Sequence, residues 1–232
     1  MITGASSGIG RGIALGLAGQ GAMLCLVGRQ AKRLEEVAQR ARVIAARVFT
    51  YGVDLTVDEQ IQKLQSELQR DCGQVDVLIH SAGVFAMGPV ESAPLSEFDA
   101  LYRTNLRAPY ALTQALLPML RARWGQIVFI NSSVARNARA NIAQYAATKH
   151  ALKAVADSLR DEVNAQGVRV LSVYPGRTAT PQQEAIHRLE SKEYKPELLM
   201  QPADVAAAVI DALRLERTAE VTDLHIRPFQ KT

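Results

Sequence analysis

The sequence predicts an α/β fold in three layers, a parallel sheet covered by helices on both faces, built as a single domain over residues 1–232. Three observations predict it. Short apolar runs of strand type alternate with helical patterns along the whole chain, which is what parallel strands joined by crossover helices require. A turn rich in Gly and Ser stands between the first strand and the first helix. No repeat, low-complexity tract or linker divides the 232 residues, a length suited to one large domain.

Met1-Ile2-Thr3 reads as the end of a strand, and Thr3-Gly4-Ala5-Ser6-Ser7-Gly8-Ile9-Gly10 as the turn that follows. Arg11 to Ala18 has apolar residues at helical spacing, and Gly19-Gln20-Gly21 stops that helix. Ala22 to Val27 is a buried-strand run, and Lys32 to Val43 is helical with Leu34, Val37, Ala38 and Ala41 on one side. Arg47 to Tyr51 forms the third strand and Asp58 to Leu68 the next helix, with Ile61, Leu64 and Leu68 in register. Val75 to Ile79 is a strand ending in His80-Ser81-Ala82-Gly83. Phe98 to Arg123 reads as one long helix with irregularities at Pro109 and Pro118. Gln126 to Ile130 runs into Asn131-Ser132-Ser133, and a polar loop leads to a helix that persists to about Gln166. Val168 to Val173 precedes Tyr174-Pro175-Gly176, and the polar, proline-bounded stretch around residues 179–200 reads as a flap over a substrate. Asp204 to Leu215 is the last helix and Glu220 to Ile226 the last strand.

Composition narrows the function. Hydrophobic content of 48% and charged content of 22% are those of a soluble globular protein, and no apolar run approaches the ~20 residues of a membrane span. The N-terminus enters glycine-rich sequence without a secretory signal, so the expected compartment is the cytoplasm. Cys25 and Cys72 are expected to fill packing space in a reducing interior. Net charge is +4, but the basic residues are dispersed and aromatics are few, which argues against nucleic acid as a partner. No metal-ligand set is assigned.

The glycine turn sits where phosphate binding needs it. Its glycines let the backbone approach a pyrophosphate closely, and the helix opening at Gly8 aims free N–H groups at negative charge. Further along, Tyr145 and Lys149 lie four apart on one helical face. A phenol titrates at about 10, and bringing it to about 7 takes roughly 4 kcal/mol, the size of one cation's effect at about 4 Å and an effective dielectric near 20. Lys149 is therefore expected to lower the Tyr145 pKa and make it a proton donor.

Taken in order, Thr3-Gly4-x3-Gly8-x-Gly10, Ala82-Gly83, Asn105, Ser133, Tyr145-x3-Lys149 and Pro175-Gly176-x3-Thr180 resemble the short-chain dehydrogenases/reductases over nearly the whole chain, in the branch with the shorter glycine spacing. The resemblance implies a seven-stranded doubly wound (Rossmann) sheet, order 3-2-1-4-5-6-7, with NAD or NADP across its carboxyl edge. It implies Tyr145 as proton donor or base, and Lys149 as its partner and a ligand of the nicotinamide ribose. It implies Ser133 on the substrate carbonyl oxygen, with Ser132 serving backbone hydrogen bonds, and Asn105 holding a water beside Lys149. Cofactor contacts are expected from Gly4, Ser6, Ser7, Gly8, Ile9 and Gly10, from Ser81, Ala82 and Gly83, and from Pro175, Gly176, Thr178 and Thr180. Asp54 and Leu55 are expected at the adenine.

Charge favours NADP(H) over NAD(H). The second strand ends Leu26-Val27-Gly28-Arg29, with no acidic residue for a ribose hydroxyl, and an arginine suits a 2′-phosphate. Lys32 and Arg33 follow, while Ser7 lacks the basic side chain some NADP-binding members carry. His80-Ser81 stands where two asparagines are frequent, and His80 is read as a packing residue. The implied activity is hydride transfer between nicotinamide and a carbonyl or secondary alcohol, a 3-ketoacyl thioester being one alternative substrate class. A dinucleotide-binding sensor or scaffold without turnover is the alternative of a different kind. Phe85, Met87, Ile142 and Tyr194 suggest partly apolar pocket contents, while Arg136, Arg139 and His187 are placed to meet an acid group. The run Val221 to Pro228 is similar to members acting on hydroxy acids. A homodimer or homotetramer through the two long helices is implied.

Overall fold

A computed structural model describes residues 1–230. Seven strands form one sheet: β1 (Ile2–Thr3), β2 (Met23–Gly28), β3 (Arg47–Gly52), β4 (Val77–His80), β5 (Gln126–Ile130), β6 (Arg169–Pro175) and β7 (Asp223–Ile226). Their order is β3-β2-β1-β4-β5-β6-β7 and every adjacent pair is parallel. The order reverses beside β1, so β1 and β4 leave a crevice at their carboxyl ends, the place where such sheets bind ligands.

Successive strand residues point to opposite faces, and the two halves of the core follow that period. Cys25, Val27, Ile127 and Phe129 face one layer, where they pack against α3 (Asp58–Asp71), α5 (Ala108–Arg121) and α6 (Ala143–Val163). Leu24, Leu26, Val128 and Ile130 face the other, against α1 (Gly8–Ala18), α2 (Ala31–Arg42) and α8 (Pro202–Leu213). Leu24, Leu26, Leu64 and Leu68 are at most 1% exposed. Burying each such side chain stabilises the fold by about 1.5–3 kcal/mol.

The helix expected over Phe98 to Arg123 is interrupted. It consists of α4 (Leu95–Tyr102), a π-helical turn at Arg103–Arg107, and α5. Proline chemistry explains the place: Pro109 has no N–H to give the Asn105 carbonyl one turn back, so the regular ladder fails there. Pro118 is carried inside α5 without ending it. The helix bearing Tyr145 closes as expected near Gln166, through a 3₁₀ turn at Asn164–Gln166. Within the stretch read as a flap, α7 covers Pro181–Leu189 and a short 3₁₀ turn Pro196–Leu198. The last strand is shorter than its apolar pattern suggested, beginning at Asp223.

Candidate active site

One cavity of ≈ 440 Å³ runs along the carboxyl edge of the sheet. At one end lies the glycine turn. Gly4, Ser6, Ser7, Gly8 and Ile9 are on its wall, and α1 starts at Gly8 with its first amides unpaired within the helix. Thr3, 1% exposed, fixes this turn to the end of β4. Its hydroxyl donates to the Ile79 carbonyl (3.3 Å) and accepts from the amides of Ser81 (3.0 Å) and Ala82 (3.1 Å), using its whole capacity. Gly4 has φ 64, and a Cβ there would stand 2.8 Å from the Ala82 backbone. Gly10 was expected to touch the cofactor, yet it is off the wall. A Cβ on it would fall 2.5 Å from the Gly4 carbonyl oxygen, so its task is to let α1 close on the turn.

Beyond the turn the wall is formed by Arg29, Gln30 and Arg33, then by Val53, Asp54 and Leu55. Arg29 and Arg33 make no ion pair among the described residues. Lys32, which the sequence groups with them, is exposed and off the wall. Burial raises the Asp54 carboxyl, but the Thr56 amide (3.0 Å) and hydroxyl (2.8 Å) on its Oδ1, with the charge of Arg29, hold it below its ordinary value. Ser81, Ala82 and Gly83 continue the wall from β4, and Pro175, Gly176, Thr178 and Thr180 from β6. The Thr178 hydroxyl donates to the Gly176 carbonyl (3.1 Å), and that of Thr180 caps α7 by accepting from Gln183 N (3.1 Å).

Tyr145 and Lys149 reach the same cavity from α6 and are buried, 7% and 5% exposed. Phe85 packs edge-on against the Tyr145 ring at 4.9 Å. The Lys149 Nζ lies 5.9 Å from that ring's centroid and donates to the Ile130 carbonyl (3.2 Å). Burial brings Lys149 down to about 8. Burial pushes the Tyr145 phenol up to about 12, with a hydrogen bond to Ser132 working the other way. Desolvation of the phenolate thus works against the lowering expected from Lys149.

The serine is corrected as well. Ser132, not Ser133, is the serine whose hydroxyl acts to lower the Tyr145 phenol. Ser132 continues the extended backbone of β5 (φ −162) and also accepts from Val134 N (3.3 Å). Ser133 opens the 3₁₀ turn Ser133–Ala135, which leaves it exposed at the cavity's rim. Asn105 is 1% exposed and off the wall. Its amide accepts from Val84 N and donates to Val84 O, both at 2.9 Å, and reaches the Thr148 hydroxyl at 3.4 Å, so the side chain clamps the segment after Gly83 to α6. His80 packs as read: it stacks on Phe129 at 4.8 Å and hydrogen-bonds Thr113 (2.8 Å).

At the substrate end, Val84, Phe85, Met87, Val134 and Ile142 give an apolar wall. Of the three candidates for an acid group, only Arg139 is there. Arg136 turns to His225 (3.4 Å), while His187 is buried within the flap between the Gln183 carbonyl (2.8 Å) and Arg177 (3.2 Å). Tyr194 packs edge-on to His187 and is likewise off the wall. The sequence reading passed over Arg177 and Glu190 on the cavity wall, where one Arg177 nitrogen, Nη2, donates to both carboxylate oxygens (3.0 and 2.7 Å). Only their thirteen-residue separation across a turn and helix hinted at it. No group of three or more potential metal ligands occurs among the described residues, and no helix is long and apolar enough to cross a membrane.

The chain is similar to known proteins along its whole length. An uncharacterized oxidoreductase of Staphylococcus epidermidis is 32% identical over 98% of this chain and 96% of its own. The alcohol dehydrogenase of the archaeon Thermococcus sibiricus, solved with 5-hydroxy-NADP, superposes with TM-score 0.90 at 28% identity, covering 100% of this chain and 97% of that one. A short chain dehydrogenase from Burkholderia cenocepacia, solved with NADP, gives TM-score 0.85 at 27% identity over 97% and 94%. The short chain dehydrogenase family model matches residues 1–191. With the sheet order, the glycine turn and the Tyr145–Lys149 pair in place, the chain belongs to the short-chain dehydrogenase family of oxidoreductases.

Proposed function

We propose that the protein is an NADP(H)-dependent enzyme interconverting a carbonyl compound and a secondary alcohol. One observation carries this reading: the Tyr145 phenol, the Ser132 hydroxyl and the Lys149 amine line the same cavity as the glycine turn and Arg29. The residues fit the cofactor. A Cβ at Gly4 would meet the Ala82 backbone at 2.8 Å, so only glycine lets the turn close beside β4, and the first α1 amides stay open at the cavity wall for a pyrophosphate. Arg29 and Arg33 suit a 2′-phosphate, and no acidic residue ends β2. The two NADP-bound relatives agree with that choice.

When bound, the nicotinamide supplies or accepts the hydride. The chain handles the oxygen and the proton. Ser132 and Tyr145 hold the carbonyl oxygen between two donors, where negative charge grows as hydride arrives at carbon. Tyr145 keeps its proton at neutral pH, since its pKa stands at about 12. A phenol gives that proton readily to an alkoxide, which is far more basic, as negative charge builds on the substrate oxygen. Lys149, titrating at about 8, offers its positive charge to the phenolate left behind. Asn105 positions Val84, and its backbone carbonyl, to which Pro109 has no N–H to give, would hold a relay water. The half-exposed Phe98, Tyr102 and Tyr110 on α4 and α5 suit a symmetric homodimer or homotetramer acting in the cytoplasm on a small molecule.

Tyr145→Phe tests the reading. Carbonyl reduction should fall by ~10²–10⁴-fold while NADPH still binds, as followed by nucleotide fluorescence. Retained turnover sinks the proposal, and a kinetic preference for NADH sinks the part assigned to Arg29.

A further inference from the structure

We propose that Arg139 selects, among carbonyl substrates, those carrying a carboxylate. This deepens the reductase reading and rests on it. The substrate end of the cavity is apolar on the sides given by Phe85, Met87, Val134 and Ile142. Four charged side chains stand near it, and three are neutralised or turned away. Arg177 and Glu190 satisfy each other, Lys192 (3.1 Å) adding to Glu190. Arg136 faces His225. Of these four, Arg139 alone lines the cavity at its substrate end with no ion-pair or hydrogen-bond partner among the described residues. A planar guanidinium at the mouth of an apolar pocket pairs in two-point fashion with a carboxylate and gains nothing from its ester.

The test compares NADPH oxidation with a 3-oxo acid and with its methyl ester, in the unaltered protein and in Arg139→Gln and Arg139→Lys. The unaltered protein should prefer the acid by roughly fivefold in kcat/KM, the size of one exposed charge contact. Arg139→Gln should remove that preference through KM, leaving kcat and the ester unchanged, and Arg139→Lys should restore part of it. Equal use of acid and ester by the unaltered protein, or an equal loss for both in Arg139→Gln, overturns the assignment and leaves the reductase reading standing. Absence of turnover with either substrate overturns the reductase reading itself.

A separate observation carries a second inference. Cys25 on β2 and Cys72 just past α3 are the chain's two cysteines, 47 residues apart in sequence, and their Sγ atoms lie 3.2 Å apart. Cys25 is buried (5% exposed), Cys72 partly open to solvent. We infer that this pair is a dithiol site which hydrogen peroxide converts to an intramolecular disulfide. The Cys72 sulfur attacks the peroxide, the O–O bond breaks, water leaves, and a sulfenic acid forms. The Cys25 sulfur then attacks Cys72, the S–O bond breaks, and a second water carries away the Cys25 proton. The two thiols lose two electrons and the peroxide gains them. Burial pushes Cys25 up to about 12, which agrees with Cys72 reacting first.

Treating the folded full chain with hydrogen peroxide should abolish both titratable thiols, give a peptide cross-link between Cys25 and Cys72, and be reversed by dithiothreitol. In Cys25→Ser, Cys72 should stop at the sulfenic acid, captured by dimedone. Two thiols surviving, a cross-link between chains, or Cys72 over-oxidised in the unaltered protein would each overturn the inference.

Discussion

The two ends of the cavity are built by different means. At the cofactor end, geometry belongs to the backbone: Thr3 bridges β1 to β4, and Gly4 and Gly10 make room that no other residue could leave. At the substrate end, side chains on loops and on α7 do the work, and Arg177 with Glu190 is the strongest polar tie holding the flap. Backbone-built sites tolerate few sequences and leave a signature. Side-chain-built sites accept many, which is why one family serves many substrates.

The comparison can be sharpened at the junction between the two ends. Ser132→Ala should lower reduction by ~10²-fold or more with NADPH affinity intact, while Ser133→Ala should leave both near their starting values. Steady-state kinetics with nucleotide titration decides it, and the reverse pattern would reinstate Ser133.

The cofactor end should also answer to pH. Burial holds His80 at about 3, against 6.5 in the unfolded chain. Between those values the unfolded state binds the extra proton. The stability that neutral His80 contributes is therefore whole above the unfolded value and falls as pH drops toward the folded one, by up to ~1.4 kcal/mol per pH unit. Urea unfolding across that range should show the slope, and His80→Gln should flatten it. An unchanged slope in the variant would place the effect elsewhere.

A smaller loss is expected from Gly4→Val, which combines an unfavourable φ with a close approach to Ala82. It should cost about 1–3 kcal/mol in denaturant unfolding and weaken NADPH binding as well. At the flap, Glu190→Gln should cost no more than ~1 kcal/mol of global stability, since the pair is partly open to water. Its mark should be local: faster proteolysis within residues 179–200 without a matching fall in the unfolding midpoint. If Glu190→Gln instead lowered the midpoint as much as Gly4→Val, the contrast between the ends would collapse.

The same contrast explains what could be read in advance. Strand order and the cavity's position followed from motifs at strand ends, where Gly4, Ala82 and Gly176 are fixed by backbone approach. Ser132 was missed because two adjacent serines differ only in where the extended strand yields to a 3₁₀ turn, a change no residue preference announces. Spacing along a helix puts Tyr145 near Lys149 but says nothing of desolvation, and burial pushes the phenol up. Arg177 and Glu190 escaped notice because their pairing depends on how the chain reverses after β6, not on a motif.

The widened turn at Arg103–Arg107 carries a consequence for how this chain tolerates length changes. A π turn accommodates an added residue inside a helix, and one residue corresponds to about 100° of helical phase. Deleting a single residue there should let the turn relax to an ordinary helix. Because the wide turn absorbs the extra residue, α4 and α5 should keep their phase and Leu101 and Leu112 their packing, while the local change falls on the Asn105 amide and its hold on Val84. An alignment gap at this position would thus mark a relative whose active-site floor has been rebuilt, even where every motif residue is retained.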